Sequence, residues 1–158
     1  MYTYTLGFIK QDNHILMINR NKKPWQGCWN GLGGKLIEGE SPLEGMIREI
    51  REETGLDVSS QRIKDCGILT WNTFEASGQG LYLFLIDWDQ QVRIDTPLHT
   101  TEGILDWKPI DWILDFDTIG VAHNIPYFLP HLLRSETRYH FHCIFEDKRL
   151  IKVTKELL

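Results

Sequence analysis

The sequence predicts an α+β domain built around a mixed β-sheet. Segments rich in aromatic and β-branched residues, which are typical of strands, outnumber the segments with helical periodicity. Strands and helices do not alternate regularly along the chain, which argues against a doubly wound nucleotide-binding fold. The chain has 158 residues, of which 42% are hydrophobic and 25% charged, as in an ordinary globular domain. We therefore expect a single domain spanning residues 1–158.

The first third of the chain predicts a hairpin, a glycine-rich loop and one long helix. Tyr2 to Lys10 predicts a strand, and the turn-forming triplet Gln-Asp-Asn leads into a second strand from His14 to Asn19. Residues 20–34 contain one proline and four glycines, which indicates a loop with unusual backbone geometry. Ser41 to Thr54 predicts a helix, because an N-cap serine, a proline and a capping-box glutamate mark its start and Gly55 marks its end.

The remainder of the chain predicts mostly strands. Its apolar, β-branched and aromatic runs alternate with turn residues, and one longer segment near the C-terminus has helical spacing. The expected strands are Ile63–Trp71, Leu81–Trp88 and Ile104–Lys108. The expected helix is Asn124–Arg134. A final hairpin is expected to pair Arg138–Phe145 with Leu150–Thr154.

Composition excludes several classes of protein. The longest apolar run, Leu81 to Ile86, has six residues, far fewer than the ~20 needed to span a bilayer. The N-terminal residues lack the pattern of a secretory signal. With 22 acidic and 17 basic residues, the net charge of −5 gives no general attraction to long nucleic acid or to anionic membranes. Three cysteines without a CxxC pair suit a reducing compartment, so we expect a cytoplasmic protein.

The predicted helix carries an acidic face. At 100° per residue, Glu49, Glu52 and Glu53 share one side, next to an apolar stripe that suits core packing. Three like charges within two turns repel each other, and the helix dipole disfavours them near the C-terminal end. Such an oxygen-rich cluster suits Mg²⁺ or Mn²⁺. The alternative is a solvated acidic face whose charges pair with Arg48 and Arg51.

The spacing around this helix matches a known motif. Reading from Gly34, the chain has five residues, Glu40, seven residues, Arg48-Glu49-Ile50, one residue, Glu52-Glu53, one residue and Gly55-Leu56. All nine specified positions of the Nudix box are filled, so the sequence resembles a Nudix hydrolase. The resemblance implies an α/β/α sandwich in which the motif forms a loop–helix–loop. It also implies hydrolysis of a diphosphate linked to another group, such as a nucleoside.

The resemblance also implies a metal site. In the family, divalent ions, usually Mg²⁺, are bound by the motif glutamates, often with a backbone carbonyl at the end of the glycine-rich loop and a further glutamate outside the motif. The corresponding positions here are Gly33, Glu49, Glu52, Glu53 and Glu102. Arg48 corresponds to the arginine that orients a motif glutamate through an ion pair. The expected catalytic set is therefore Arg48 together with those four glutamates.

A second similarity points to the MutT-type branch, which hydrolyses oxidised purine nucleoside triphosphates to monophosphate and pyrophosphate. The run from Trp29 to Lys35 closely matches a segment of those enzymes. Expected substrate contacts are therefore Trp29, Asn30, Lys35, Asn124 and Thr5, with a small nucleotide as the only expected partner. The asparagine in this run contacts the base in the family, although it could instead satisfy the loop backbone. The mammalian enzymes of this branch place two adjacent aspartates where this chain has a His-Asn pair, which puts the preferred base in doubt.

Several other residues allow two interpretations. Glu102 fits the family's extra carboxylate or a solvent-exposed loop residue. Trp25 could stack on a base or pack over its loop. Residues 20–23 form a basic cluster that could bind triphosphate oxygens or lie in a plain solvated turn. His140 and His142 share one strand face, for which solvent exposure is the default expectation.

Two alternative functions follow from the same motif. The chain could hydrolyse a different diphosphate, such as a nucleotide sugar or a dinucleotide. It could also be a non-catalytic module that senses nucleotides, although the complete set of motif glutamates argues against this.

Overall fold

A single mixed sheet forms the centre of the molecule. The computed structural model describes residues 2–72, 80–88 and 94–158, and in these residues nine strands join one sheet. The strands are β1 Tyr4–Gln11, β2 His14–Arg20, β3 Trp29–Asn30, β4 Ile63–Trp71, β5 Gly80–Asp87, β6 Leu98–His99, β7 Gly103–Pro109, β8 Tyr139–Glu146 and β9 Arg149–Leu157. The helices are α1 Pro42–Thr54, α2 Ile110–Leu114 and α3 Ile125–Arg134, with a short 3₁₀ helix at Ser60–Arg62.

The sheet order is β6-β7-β2-β1-β5-β4-β8-β9, and β3 pairs with β2 outside this path. Two pairings, β1 with β5 and β4 with β8, are parallel, and the others along the path are antiparallel. The predicted α+β class with a mixed sheet is therefore confirmed. The predicted C-terminal hairpin is also present as β8 and β9.

Helices cover both faces of the sheet. Successive strand residues point to opposite faces, so Phe8 and Ile9 of β1 enter different core clusters. Ile9 packs in one cluster with Met46 of α1, whereas Phe8 packs in the other with Phe128 of α3 and Ile113 of α2. The arrangement is the expected α/β/α sandwich, with α1 on one face and α2 and α3 on the other.

Local sequence explains the limits of α1. The Ser41 hydroxyl accepts a hydrogen bond from the Glu44 amide at 3.2 Å, and the Glu44 carboxylate accepts one from the Ser41 amide at 2.9 Å. This capping box satisfies two amides that the helix itself leaves unpaired. Gly55 ends the helix with φ of 79°, a left-handed conformation that favours glycine, and its amide bonds to Arg51. The predicted helix is confirmed.

The short elements were not predicted. The expectation that residues 20–34 form only a loop is wrong, because β3 pairs with β2 within that segment. The sequence also gave no sign of β6 or α2, which have two and five residues. Elements this short do not complete a pattern of hydrophobic periodicity, so contacts with distant parts of the chain determine them. Among the described residues, no helix is long and apolar enough to cross a membrane.

The core placement of two cysteines gives a testable consequence. Cys66 and Cys143 are buried, and burial raises the pKa of each thiol to about 11, whereas Cys28 is half-buried. Because the thiolate is the reactive form, we expect Ellman's reagent at about pH 8 to label one thiol quickly in the native protein. A Cys28→Ser variant should lose this fast phase, and all three thiols should react in guanidinium chloride. Fast native labelling of Cys66 or Cys143 would contradict their placement in the core.

Candidate active site

The glycine-rich segment after β3 runs between β1 and β2. The Leu32 amide and carbonyl both bond to Gly7 of β1, at 2.9 and 2.7 Å, and the Gly34 carbonyl accepts from the Thr5 amide at 2.9 Å. This pairing extends the chain from β3 along the start of β1. It fixes residues 33 and 34 beside the last turns of α1.

Two glycines allow the loop to approach its neighbours closely. A Cβ on Gly33 would overlap the Thr5 carbonyl, and one on Gly34 would come within 2.5 Å of a Glu49 carboxylate oxygen. The Gly33 amide also donates to Glu53 Oε1 at 3.1 Å. The absence of side chains at these two positions is therefore what brings the loop backbone against two carboxylates of α1.

Arg48 links the acidic residues to one another. Its Nε and Nη2 atoms donate to the two carboxylate oxygens of Glu40 at 2.6 and 3.0 Å. Its Nη1 atom donates to Glu49 at 2.9 Å and to Glu52 at 3.2 Å, and Nη2 also donates to the Lys35 carbonyl at 3.1 Å. The bidentate hydrogen bonds from Arg48 hold the pKa of Glu40 below its usual value. One guanidinium thus positions three carboxylates and the loop.

Within residues 2–72, 80–88 and 94–158, Glu53 forms no ion pair with a cationic side chain, and its carboxyl group is electrostatically strained. Burial, the negative charge of Glu49 and a hydrogen bond shared with Glu49 raise its pKa from 4.5 to about 8. The amide of Gly33 opposes this rise, and the charge of Glu102 adds to it. Glu53 is therefore a carboxyl group that a nearby cation would stabilise in its ionised form.

Glu102 lies at the edge of this cluster. It precedes β7, its side chain is 46% exposed, and its carboxylate lies 3.9 Å from the Lys22 ammonium. Its backbone carbonyl accepts a hydrogen bond from the Asn21 amide at 3.1 Å. The charge of Glu102 acts on Glu53, so β7 brings it near the motif glutamates while its side chain stays in solvent. The position of Glu102 is therefore compatible with a metal-binding carboxylate and with a solvent-exposed loop residue.

The donor set is chemically suited to a hard divalent cation. Glu49, Glu52 and Glu53 offer only oxygen atoms, and the repulsion that raises the Glu53 pKa is the kind that a cation offsets. In the described residues, no three acidic, histidine or cysteine side chains already stand in a metal-binding arrangement. Arg48 Nη1 bonds one oxygen of Glu49 and one of Glu52, so the second oxygen of each carboxylate is not held by Arg48.

The predicted base-reading residue is engaged with its own loop. Asn30 is buried, and its Oδ1 atom accepts a hydrogen bond from the Gly31 amide at 2.8 Å. This geometry supports the alternative that Asn30 satisfies the loop backbone, and it leaves the amide nitrogen as the group for a base contact. Thr5 is also buried, with its hydroxyl 3.4 Å from the Gly34 carbonyl, whereas Lys35 is exposed.

Trp29 and Asn124 lie on the side of the sheet that α2 and α3 cover. The Trp29 amide donates to Gly120 at 2.6 Å, its carbonyl accepts from the Ala122 amide at 3.0 Å, and its ring lies 4.3 Å from the Lys108 ammonium. Asn124 is buried, with its amide nitrogen 3.9 Å from the Cys143 sulfur. The structure therefore separates these two residues from the carboxylate cluster of α1.

Two residues outside the expected catalytic and substrate sets contact members of those sets. Glu40 is a fixed position of the motif, so its spacing was the available signal, but its role in holding Arg48 appears only in three dimensions. Lys108 packs over Trp29, and no sequence pattern joins residues so far apart. Trp25 packs edge-on against His123 at 5.4 Å, which supports loop packing.

The histidine pair is not simply solvated. His140 and His142 share a strand face as predicted, but each lies 2.7 Å from the Thr70 hydroxyl and both are partly buried. The expectation of a plain solvent face was therefore incomplete, because the parallel strand β4 supplies a polar partner.

Comparison with known proteins is consistent with this geometry. The NUDIX domain family model matches residues 2–132. The chain is 48% identical over 50 residues to an ADP-ribose pyrophosphatase of Methanocaldococcus jannaschii, covering 32% of this chain and 30% of that protein. It is 40% identical over 57 residues to the oxidized purine nucleoside triphosphate hydrolase of Mus musculus, covering 36% of each protein. The chain thus spans about a third of these two relatives.

Similarity in three dimensions extends over the whole chain. The crystal structure of a MutT protein from Bacillus halodurans superposes with a TM-score of 0.75 and 24% identity, covering 99% of this chain and 98% of the other. At that identity the likeness shows the fold alone, and it confirms the expected sandwich. Since the family model covers most of the chain and the motif residues meet in one site, the chain belongs to the Nudix family.

Proposed function

We propose that this chain is a divalent-metal-dependent hydrolase that cleaves nucleoside triphosphates to nucleoside monophosphate and pyrophosphate. The observation that carries the proposal is the environment of Glu53. Its carboxyl group is bonded to the Gly33 amide and crowded by Glu49, which raises its pKa to about 8. Perturbed carboxyls of this kind cluster at functional sites, and a fold stabilised for its own sake would avoid them.

Each residue of the cluster has a proposed role. Glu49, Glu52 and Glu53 would hold Mg²⁺, or Mn²⁺, with the Gly33 carbonyl and Glu102 as further donors. The bound metal would neutralise phosphate oxygens and lower the pKa of a water molecule. Arg48 is a positioning residue, because it holds Glu49 and Glu52 while itself anchored on Glu40.

The attack of water on phosphorus also needs a proton acceptor. A carboxylate serves this purpose when its pKa is close to the working pH. Glu53 is one candidate, but a bound cation would lower the pKa that burial and Glu49 raise in the metal-free protein, so Glu53 could act as the base only when it does not ligate the metal. Glu102 is the second candidate, since it is exposed and its charge reaches Glu53.

For the substrate, we propose oxidised purine nucleoside triphosphates such as 8-oxo-dGTP. The support is the identity to the mouse oxidized purine hydrolase, and the amide nitrogen of Asn30 is the group left for a base contact. The second candidate is a nucleoside diphosphate derivative such as ADP-ribose, which the similarity to the archaeal pyrophosphatase favours. The complete set of motif glutamates argues against a non-catalytic sensing role.

We propose that residues 1–158 act as one domain in the cytoplasm. Their role there would be to remove damaged free nucleotides from the nucleotide pool and so support DNA repair. We propose no membrane partner and no long nucleic acid partner.

A direct substrate comparison tests this proposal. We expect the highest kcat/KM for 8-oxo-dGTP when 8-oxo-dGTP, dGTP, 2-hydroxy-dATP, ADP-ribose and a diadenosine polyphosphate are each assayed with Mg²⁺. The products should be monophosphate and pyrophosphate, identified by ³¹P NMR, and excess EDTA should stop the reaction because the carboxylates need their cation. Preference for ADP-ribose would replace the first candidate by the second. Tight binding of a nucleotide without any phosphate release would favour the sensing role.

Glu53→Gln should lower activity and raise stability. Loss of a metal-binding carboxylate should reduce kcat on the best substrate on the order of 100-fold or more. Because the native state keeps this carboxyl protonated up to a pKa of about 8, ionisation penalises folding increasingly as pH rises from about 4.5 to 8. The metal-free variant should therefore gain on the order of 1 to 3 kcal/mol in unfolding free energy above pH 8 and nothing near pH 4.

The matched control is Glu38→Gln, an exposed glutamate of the same loop–helix–loop. It should change neither kcat nor the pH dependence of urea unfolding. If Glu53→Gln destabilised the metal-free protein at pH 8 or kept normal turnover, Glu53 would not be the strained carboxylate of the metal site.

A further inference from the structure

The strand at one end of the sheet has an edge that no other strand covers within residues 2–72, 80–88 and 94–158. This strand, β9, spans Arg149–Leu157 and pairs with β8 alone. At the other end of the sheet, β6 has only two residues. A long open edge presents a row of unpaired backbone groups that can pair with another strand. β9 is therefore the part of the sheet that is best suited to bind a further chain.

The backbone groups of β9 point alternately to β8 and to the open edge. The Leu158 amide donates to the Arg138 carbonyl at 3.1 Å, in register with the other residue pairs of the hairpin. Because antiparallel strands exchange hydrogen bonds at every second residue, residues 152, 154 and 156 also bond to β8. The amides and carbonyls of residues 153, 155 and 157 therefore point to the open edge.

The side chains along this edge include two unpaired charges. Lys152 and Glu156 are exposed, and neither belongs to an ion pair in the described parts of the chain. They lie four residues apart on a strand, a distance of about 13 Å, so they cannot pair with each other. Ile151 and Leu157 have exposed fractions of 50% and 71%. The edge thus offers opposite charges and apolar side chains to a partner strand.

A second copy of β9 complements this edge in one antiparallel register. A two-fold axis at Thr154 places Lys152 opposite Glu156 of the second copy, and symmetry repeats this pair on the other side of the axis. The two copies of Thr154 then face each other, and Ile151 lies opposite Leu157. Opposite charges, paired threonines and paired apolar side chains are all favourable neighbours across strands. The outward backbone groups of residues 153 and 155 meet as a hydrogen-bonded pair.

The neighbouring registers that use the same outward groups are less complementary. An axis at Lys155 would place two lysines directly opposite each other, which is unfavourable. An axis at Val153 would place Lys152 opposite Thr154 and leave both charges of the first register unpaired. Lysines on edge strands commonly oppose pairing, but the Lys155 ammonium lies 5.0 Å from the centre of the Tyr139 ring in its own protomer. The charge pattern of β9 therefore favours the register with its axis at Thr154.

We propose that β9 pairs with β9 of a second copy of this chain about a two-fold axis at Thr154, which joins two sheets into one continuous sheet. The interface is one strand wide, and interfaces this small are typical of weak and reversible association. Three strands separate β9 from β1, which contacts the glycine loop. Each protomer therefore keeps its own carboxylate cluster, and the proposal does not depend on the substrate.

Sedimentation velocity of the intact protein, from micromolar to submillimolar concentration, tests this interface. We expect a reversible dimer. Glu156→Lys and Lys152→Glu should each raise its Kd about tenfold or more, because each variant places like charges opposite each other at two symmetric positions. The double variant Lys152→Glu/Glu156→Lys restores opposite charges and should recover the Kd of the original protein. This recovery would also exclude misfolding as the cause of the single-variant effects.

A matched control separates this register from a general effect of charge. Glu146→Lys makes the same change of charge at an exposed residue near the tip of the hairpin, outside β9. It should leave the Kd of the dimer unchanged.

Cross-linking tests the position of the axis. In a Cys28→Ser background, Thr154→Cys should form a disulfide between two copies under mild oxidation. The reason is that directly opposed residues without mutual hydrogen bonds have Cα atoms about 4.5 Å apart, within disulfide range. Lys152→Cys is the matched control, because its two copies would lie about 13 Å apart along the strands and should not be linked.

Three results would overturn the proposal. The first is a monomer at every concentration, which would leave the edge to a different partner. The second is a dimer whose Kd responds no more to Glu156→Lys than to Glu146→Lys. The third is a Lys152→Cys protein that forms the intermolecular disulfide as fast as the Thr154→Cys protein.

Discussion

The close approach of the glycine loop to the carboxylates of α1 is the constraint on which the site depends. A side chain at Gly33 would collide with the Thr5 carbonyl, and one at Gly34 would collide with Glu49. With glycine at both positions, the loop backbone can pair with β1 and still donate an amide to Glu53. The position of α1 on the sheet and the packing of Met46 in its core cluster thus determine where the acidic groups stand.

Electrostatics divides the four motif carboxylates into two kinds. Glu40, Glu49 and Glu52 contact the Arg48 guanidinium, so their charges are offset within the metal-free protein. Glu53 is left with an amide and a like-charged neighbour, which raises its pKa to about 8. This distribution costs stability in the metal-free protein, and a cation at the proposed site would offset most of that cost at Glu53. Natural active sites commonly accept such a trade between stability and function.

Sequence reasoning succeeded where local chemistry decides the structure. The capping box and Gly55 define α1 from a few neighbouring residues, and the motif spacing identified Arg48 and its glutamates. It failed where distant segments decide. The two-residue strand β3 exists because β2 and the segment after α2 pair with it, and the contact of Lys108 with Trp29 joins separate strands. The sequence also could not predict where a side chain points. The Asn30 side chain, for example, accepts a hydrogen bond from the Gly31 amide of its own loop.

The segment from Trp29 to Gly34 has contacts on both sides of the sheet. At its start, Trp29 is bonded to the chain between α2 and α3, and at its end Gly33 and Gly34 touch carboxylates of α1. Only a few residues separate these anchors, so a displacement of one end has little slack to absorb it. The chain at Gly120–Ala122 and the carboxyl group of Glu53 are therefore bonded to the two ends of one short segment. Coupling between the two faces requires that this segment have two arrangements whose populations a ligand can change, and the pairing of Leu32 with Gly7 is the contact that such a change would have to break.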